Sequence, residues 1–203
     1  MVLTIDIGNT TIGIGGFQGN KLLFIEKISS RRPLSDAGYI EKLNMILNKH
    51  GLSAEAFEGS MISSVVPSVT AVFSSALETF LGRKPLILSH KLDLGYEICT
   101  EFPEKVGCDR LADIAGAISR YSLPFVTIDL GTATTFNVLD ENRRFLGGLI
   151  LPGVGTAHRA LLGKTAQLPK GDIHMPAHTI GANTQECITG GMLLGNACAI
   201  DGL

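Results

Sequence analysis

Apolar residues run through the opening "MVLTIDIG" with Asp6 as its one charge, the pattern of a strand buried on both faces. "TIGIGGFQG" and "KLLFIEKIS" follow, joined at Gly19-Asn20, a dipeptide suited to a tight reverse turn, so three strands form a meander. Over 35–51 the period becomes helical. Ile40, Leu43, Ile46 and Leu47 share one face, Ser35 stands where an N-cap belongs, and Gly51 where a helix stops. "GSMISSVVPS" predicts a fourth strand ending at Pro67, "SVTAVFSSALETFLG" a second helix and "PLILSH" a fifth strand. After a loop rich in turn signals, "PEKVGCDRLADIAGAISRY" predicts a helix starting near Pro103 with Leu111, Ile114 and Ile118 inward.

From residue 121 the pattern starts again. "FVTIDLG", "TTFNVLD" and "RFLGGLILPG" predict another three-stranded meander, with "DENR" as the second turn. Helical "GTAHRALLGKTA" comes next, then a long loop holding Pro169 and Pro176, then a helix from about Thr184. The order of elements is duplicated with a period of about 120 residues, which divides the chain into domains 1–120 and 121–203. The second copy stops inside or just after a helix; relative to the first it is short of closing strands by on the order of 50 residues, which would expose a sheet edge. A C-terminally incomplete second copy is therefore expected.

The duplication carries a phrase, "TIDIGNTTIGI" at 4–14 and "TIDLGTATTFNVL" at 127–139. A glycine two residues after a strand-terminal aspartate lets the backbone turn sharply and approach a ligand, and the following N–H and hydroxyl groups donate to phosphate oxygens. Asp6 and Asp129 would repel phosphate unless a cation lies between. Either loop alone is also compatible with a simple β-turn; the pair, facing one another across a cleft, would clamp a nucleoside triphosphate. A third group, "GCDR" at 107–110, sets an aspartate beside an arginine near a helix start. That pair reads equally as a surface ion pair or as a general base with an anion grip. "ALLGKT" ends like a P-loop, but His158 occupies the position of its first glycine, so Lys164 reads as a solvated helix-end lysine.

Composition narrows the classes. With 203 residues, 45% apolar, 18% charged and a formal net charge of −2, the chain has the core of a globular protein and no electrostatic footprint for nucleic acid. No apolar run reaches the roughly 18 residues of a spanning helix, and the opening lacks a basic n-region, so neither membrane insertion nor export is expected and the location is cytoplasmic. Cys99, Cys108, Cys187 and Cys198 form no C-x-x-C pair and read as reduced thiols. His174 and His178 have metal-like spacing, but Pro176 breaks the helix that would align them.

Taken together, "DIGNT" (6–10), "SSVVPS" (63–68), "PEKVGCDR" (103–110), "DLGTATT" (129–135), "GGLILPG" (147–153), "KTAQLP" (164–169) and "GANTQECITGG" (181–191) resemble type III pantothenate kinase. The resemblance spans nearly the whole chain. It implies an α/β fold of duplicated ribonuclease-H-like (actin-like ATPase) domains with mixed five-stranded sheets. It also implies ATP-dependent phosphorylation of pantothenate, the first step of coenzyme A biosynthesis. On it, Asp6, Ile7, Gly8, Asn9, Thr10, Thr11, Ile12, Gly13 and Thr132 would bind ATP with Mg2+, and Asp129 a monovalent cation, K+ or NH4+. Asp109 would be the general base, and Thr100, Gly107, Cys108, Asp109, Arg110 and Thr184 would line the pantothenate site of a homodimer. At Thr100 the family usually has a tyrosine; here the aromatic is displaced to Phe102 or absent. The alternative is a non-catalytic nucleotide-binding regulatory relative of the same fold. A phosphohydrolase would need a water-activating glutamate, and none stands in a motif context.

Overall fold

The computed structural model describes residues 1–164 and 171–203, so most of the "KTAQLP" segment lies outside the described residues. The chain divides into two units: Met1–Phe125 with Asn137–Gly147, and Val126–Phe136 with Gly148–Leu203.

In the first unit, strand β1 (Val2–Ile7) pairs antiparallel with β2 (Thr11–Gln18), which pairs with β3 (Lys21–Ser29). Helix α1 (Asp36–Lys49) begins where the sequence predicts, with the Ser35 hydroxyl accepting from the Gly38 N–H at 3.3 Å, and Gly51 follows it in the left-handed region at φ +67°. Strand β4 (Gly59–Ser64) lies parallel to β1, helix α2 (Pro67–Leu81) takes Pro67 at its first turn, and β5 (Leu86–Ile87) closes the sheet in the order β3-β2-β1-β4-β5. Alternation along β1 sends Leu3, Ile5 and Ile7 to one face, where they join Ile12, Ile14, Ile62, Leu43 and Phe73 in a continuous buried core. Each such side chain is worth about 2 kcal/mol of burial. The opposite face of β1 carries Asp6, whose register partners are Gly13 on β2 and Ser63 on β4.

Two elements depart from the sequence pattern. Strand β6 (Glu97–Ile98) sits inside the segment read as a loop; two residues carry no periodicity to detect. The helix expected from Pro103 starts later: Pro103–Lys105 make one 3-10 turn, Val106 and Gly107 are extended at ψ 127° and 138°, and helix α3 runs Cys108–Ile118. Helix α3 packs against β4. Its Ile114 joins Leu139 and Phe145 in a second buried cluster, with Tyr96, Ile98, Val106 and Phe125 against it. The Tyr96 hydroxyl donates to the Leu111 carbonyl at 2.9 Å, and burial pushes its phenol pKa up, with the Asp113 carboxylate adding to the shift.

Strands β7 (Phe125–Leu130), β8 (Ala133–Leu139) and β9 (Arg144–Pro152) repeat the meander, in a sheet ordered β6-β9-β8-β7. This sheet has four strands among the described residues, where the first has five. The predicted turn at 140–143 is held by Asp140, which accepts from Arg144 Nε at 2.8 Å and Nη2 at 2.7 Å and from the backbone N–H of Asn142 and Arg144. Desolvation raises the Asp140 pKa, but these hydrogen bonds outweigh it and hold the carboxyl below the usual carboxylate range. Helices α4 (Val154–Lys164) and α5 (Thr184–Gly202) complete the second unit, α5 capped by Asn183 accepting from the Glu186 N–H at 2.9 Å. No helix among the described residues is long and apolar enough to cross a membrane.

Repeated sequence does not bring repeated burial. Ile5 is 1% exposed, whereas its counterpart Ile128 is 42% exposed and its neighbours Val126 and Leu130 are exposed too. β1 has a strand on either side; among the described residues β7 has a strand on one side alone, β8.

Candidate active site: two phosphate loops and the GCDR turn

The first loop is a tight reversal between β1 and β2. The Gly8 N–H donates to the Thr11 carbonyl at 2.9 Å, and a Cβ on Gly8 would lie 3.3 Å from that same oxygen, so a larger residue crowds the turn. Two further bonds fix the loop to its neighbours: Ser30 N–H to the Thr10 carbonyl at 3.1 Å and Val65 N–H to the Ile7 carbonyl at 3.1 Å. Ile7 and Ile12 point into the core, fully buried, and can meet a ligand only through their backbones. Asp6, Asn9 and Thr11 are exposed, with Gly8, Thr10 and Gly13 half-buried. Beside Asp6, the buried Ser63 hydroxyl has no hydrogen-bond partner among the described residues. An exposed carboxylate next to an unsatisfied hydroxyl is an oxygen-only corner, the donor set that Mg2+ on a triphosphate takes, since that ion needs one or two carboxylates and fills its octahedron with phosphate and water.

The "GCDR" turn sits in the same unit. Gly107 caps α3 without a side chain, which places Asp109 in the first helical turn, where exposed N–H groups favour a carboxylate. Asp109 Oδ1 accepts from the Arg110 N–H at 2.8 Å. A Cβ on Gly107 would collide with that oxygen, so the carboxylate occupies the space a side chain at 107 would need. Gly107→Ala is therefore expected to displace a side-chain tip and not the backbone: kcat falls about a hundredfold while the melting temperature stays within about 2 °C. Steady-state kinetics beside a thermal melt checks this, and unchanged kcat would contradict the placement of Asp109.

Cys108 points elsewhere. Its thiol donates to the Leu88 carbonyl at 3.1 Å, and burial pushes its pKa up, so it packs α3 onto the first sheet as a neutral group. The Arg110 guanidinium has Nε on Asn137 Oδ1 and its carbon 5.3 Å from the Phe145 ring centre. Burial lowers its pKa while Asp109 and Asp113 raise it. Thr100 stands against Gly147, whose φ of +106° only glycine takes without strain, and the buried Thr100 hydroxyl lacks a hydrogen-bond partner among the described residues. Phe102 does not fill that space: it is exposed, with Lys105 Nζ 4.1 Å from its ring centre.

In the second unit the loop Asp129–Thr132 is braced from behind. The Gly131 N–H donates to the Ala133 carbonyl at 2.9 Å, and the Thr132 carbonyl accepts from the Gly153 N–H at 3.1 Å and the Thr156 hydroxyl at 2.7 Å. Asp129 and Thr132 are exposed. An exposed carboxylate among loop carbonyls offers hard oxygen donors that suit a monovalent cation as well as a divalent one. Thr184 is exposed at the first turn of α5, and Lys164 is exposed at the end of α4.

A family profile described as type III pantothenate kinase matches residues 2–203. The chain belongs to that family. A type III pantothenate kinase of Dictyoglomus turgidum is 36% identical over all 203 residues, which cover 79% of the relative's length; that of Thermomicrobium roseum is 36% identical, with 78% of its length covered. The crystal structure of a conserved Baf-family protein from Campylobacter jejuni superposes with a TM-score of 0.56 over 98% of this chain and 78% of that one, at 17% identity, a likeness of fold alone.

Two residues beside the candidate site carried no role in the sequence motifs. Asn137 was visible as a polar residue inside the apolar run "TTFNVL", and a buried polar group in a strand implies a partner. Ser63, within the motif "SSVVPS", gave no signal separating it from its neighbour Ser64.

Proposed function

We propose that the chain transfers the γ-phosphoryl group of ATP to the terminal hydroxyl of pantothenate, the first step toward coenzyme A, with Asp109 as general base. The observation that carries this is the Asp109 carboxylate in the first turn of α3, seated in the gap left by Gly107, beside an arginine held by its own partners. Oδ1 is engaged by the Arg110 amide, so the substrate proton is received on Oδ2. As that O–H bond breaks, the alcohol oxygen bonds to the γ-phosphorus, the bond to the β–γ bridging oxygen breaks, and ADP leaves. Arg110 grips the pantothenate carboxylate, and Thr100, Gly107, Cys108 and Thr184 complete the acceptor site, Cys108 through its backbone.

Residues Asp6, Ile7, Gly8, Asn9, Thr10, Thr11, Ile12, Gly13 and Thr132 bind the nucleotide, with Asp6 and Ser63 on the side that Mg2+ takes. Bound Mg2+ neutralises charge developing on the phosphates. Asp129 would hold a monovalent cation, K+ or NH4+, which would offset the charge of its carboxylate. The halves 1–120 and 121–203 act as duplicated domains, each supplying one loop, and the protein works as a cytoplasmic homodimer.

The full chain with ATP, Mg2+ and pantothenate is expected to release ADP only when pantothenate is present, about tenfold faster in K+ than in Na+, with Asp129→Asn erasing the difference. ADP release indifferent to pantothenate would sink the assignment; indifference to the cation would sink the role of Asp129 alone.

A further inference from the structure

Arg110 is held by residues from a different part of the chain than its own motif. Its Nε donates to Asn137 Oδ1 at 2.5 Å, and its guanidinium carbon lies 5.3 Å from the centre of the Phe145 ring. Asn137 on β8 and Phe145 on β9 are both fully buried. A guanidinium is a rigid plane on a flexible stem, so a hydrogen bond on the Nε edge together with an aromatic ring beside it fixes both its tilt and its rotation, and hence the direction of the Nη edge.

The identity of the acceptor matters. Asn137 is fully buried on β8, where a polar side chain is costly unless its hydrogen bond is made. The bond it makes is to a cation, yet Asn137 is neutral. Asp109 and Asp113 of its own helix already bear on Arg110, and a further carboxylate at 137 would weaken its attraction for an anionic substrate. A neutral oxygen orients the guanidinium and leaves its charge in place.

We propose that Asn137 is a positioning residue for acceptor recognition: it aims the Arg110 guanidinium at the carboxylate of the acceptor, and so makes this kinase select a carboxylate-bearing alcohol. The inference rests on Arg110 gripping that carboxylate.

The test compares pantothenate with its alcohol analogue, in which CH2OH replaces the carboxylate, in Asn137→Leu, Asn137→Asp, Arg110→Lys and the double variant Arg110→Lys/Asn137→Leu. Asn137→Leu is expected to raise KM for pantothenate about tenfold, with kcat within about twofold and the KM values for ATP and for the alcohol analogue unchanged. Asn137→Asp keeps the shape and the acceptor oxygen, so it is the variant to read should leucine fail to fold, and it raises KM for pantothenate but not for the analogue. Arg110→Lys, lacking Nε and the fork, is expected to raise KM for pantothenate alone, and adding Asn137→Leu to it to change nothing further. If Arg110→Lys leaves the pantothenate KM unchanged, the reading of Arg110 fails. If it raises KM while both Asn137 variants keep the preference for pantothenate over the analogue, or if the penalties add, the role given to Asn137 is overturned.

Discussion

Asp109→Asn is expected to lower kcat about a thousandfold while leaving the melting temperature and the KM for ATP unchanged. The asparagine retains a carbonyl oxygen that accepts the Arg110 N–H, so the first turn of α3 keeps its geometry. It loses only the capacity to accept a proton from the substrate alcohol. The side chain is half-buried and stands outside both buried clusters, so removing its charge falls within the stability range of surface substitutions, about 0.5 kcal/mol. Single-turnover measurement of ADP formation, with calorimetry of ATP binding as control, separates the two effects. A variant retaining a tenth or more of the activity would remove Asp109 from the chemistry.

Gly153→Ala is expected to act on nucleotide and stability together. A Cβ there would run into the Gly131 carbonyl oxygen and lie 2.9 Å from the Thr132 oxygen and 3.0 Å from the Thr132 carbonyl carbon. All three are backbone atoms, so nothing can rotate away; either the loop Asp129–Thr132 moves or Gly153 does. The Gly153 to Thr132 hydrogen bond and the hydroxyl bond from Thr156 are strained with them. The expected loss is about 3 kcal/mol of stability, the upper part of the range for overpacking, and at least about tenfold in ATP affinity. Chemical denaturation and calorimetric titration with ATP read the two losses. A fully stable variant binding ATP normally would mean that the second loop tolerates displacement and is no nucleotide contact. The contrast with Gly107→Ala is one of chemistry: at 107 the obstacle is the tip of a side chain, at 153 it is main chain.

Much of this architecture is written locally. The β1–β3 meander follows from apolar runs and the Gly19-Asn20 turn, α1 from its helical stripe and the Ser35 cap, and α2 from Pro67 at its first turn. Each depends on residues within a few positions of one another. The boundary of α3 was not legible, because Pro103 favours the start of any helical turn, whether or not the turn continues. Here it does not continue: extended Val106 and Gly107 interrupt it, and the true start at Cys108 moves Asp109 from the interior of an expected helix to its first turn. The motif named the acid; the interruption placed it in the first turn of α3, where it accepts the Arg110 N–H.

The sequence by itself determined the duplicated order of elements, the two aspartate–glycine loops and the membership of the family, since periodicity, turn chemistry and motif residues are local or survive as ordered matches along 2–203. Tertiary structure alone decided that Arg110 is held by Asn137, 27 residues away, that Cys108 turns to the Leu88 carbonyl, and that Ile5 is buried while Ile128 of the same phrase is exposed. Burial and hydrogen-bond partnership depend on what packs against a residue from distant parts of the chain, and similar phrases meet different neighbours when one strand has a strand on either side and the other, among the described residues, on one side alone.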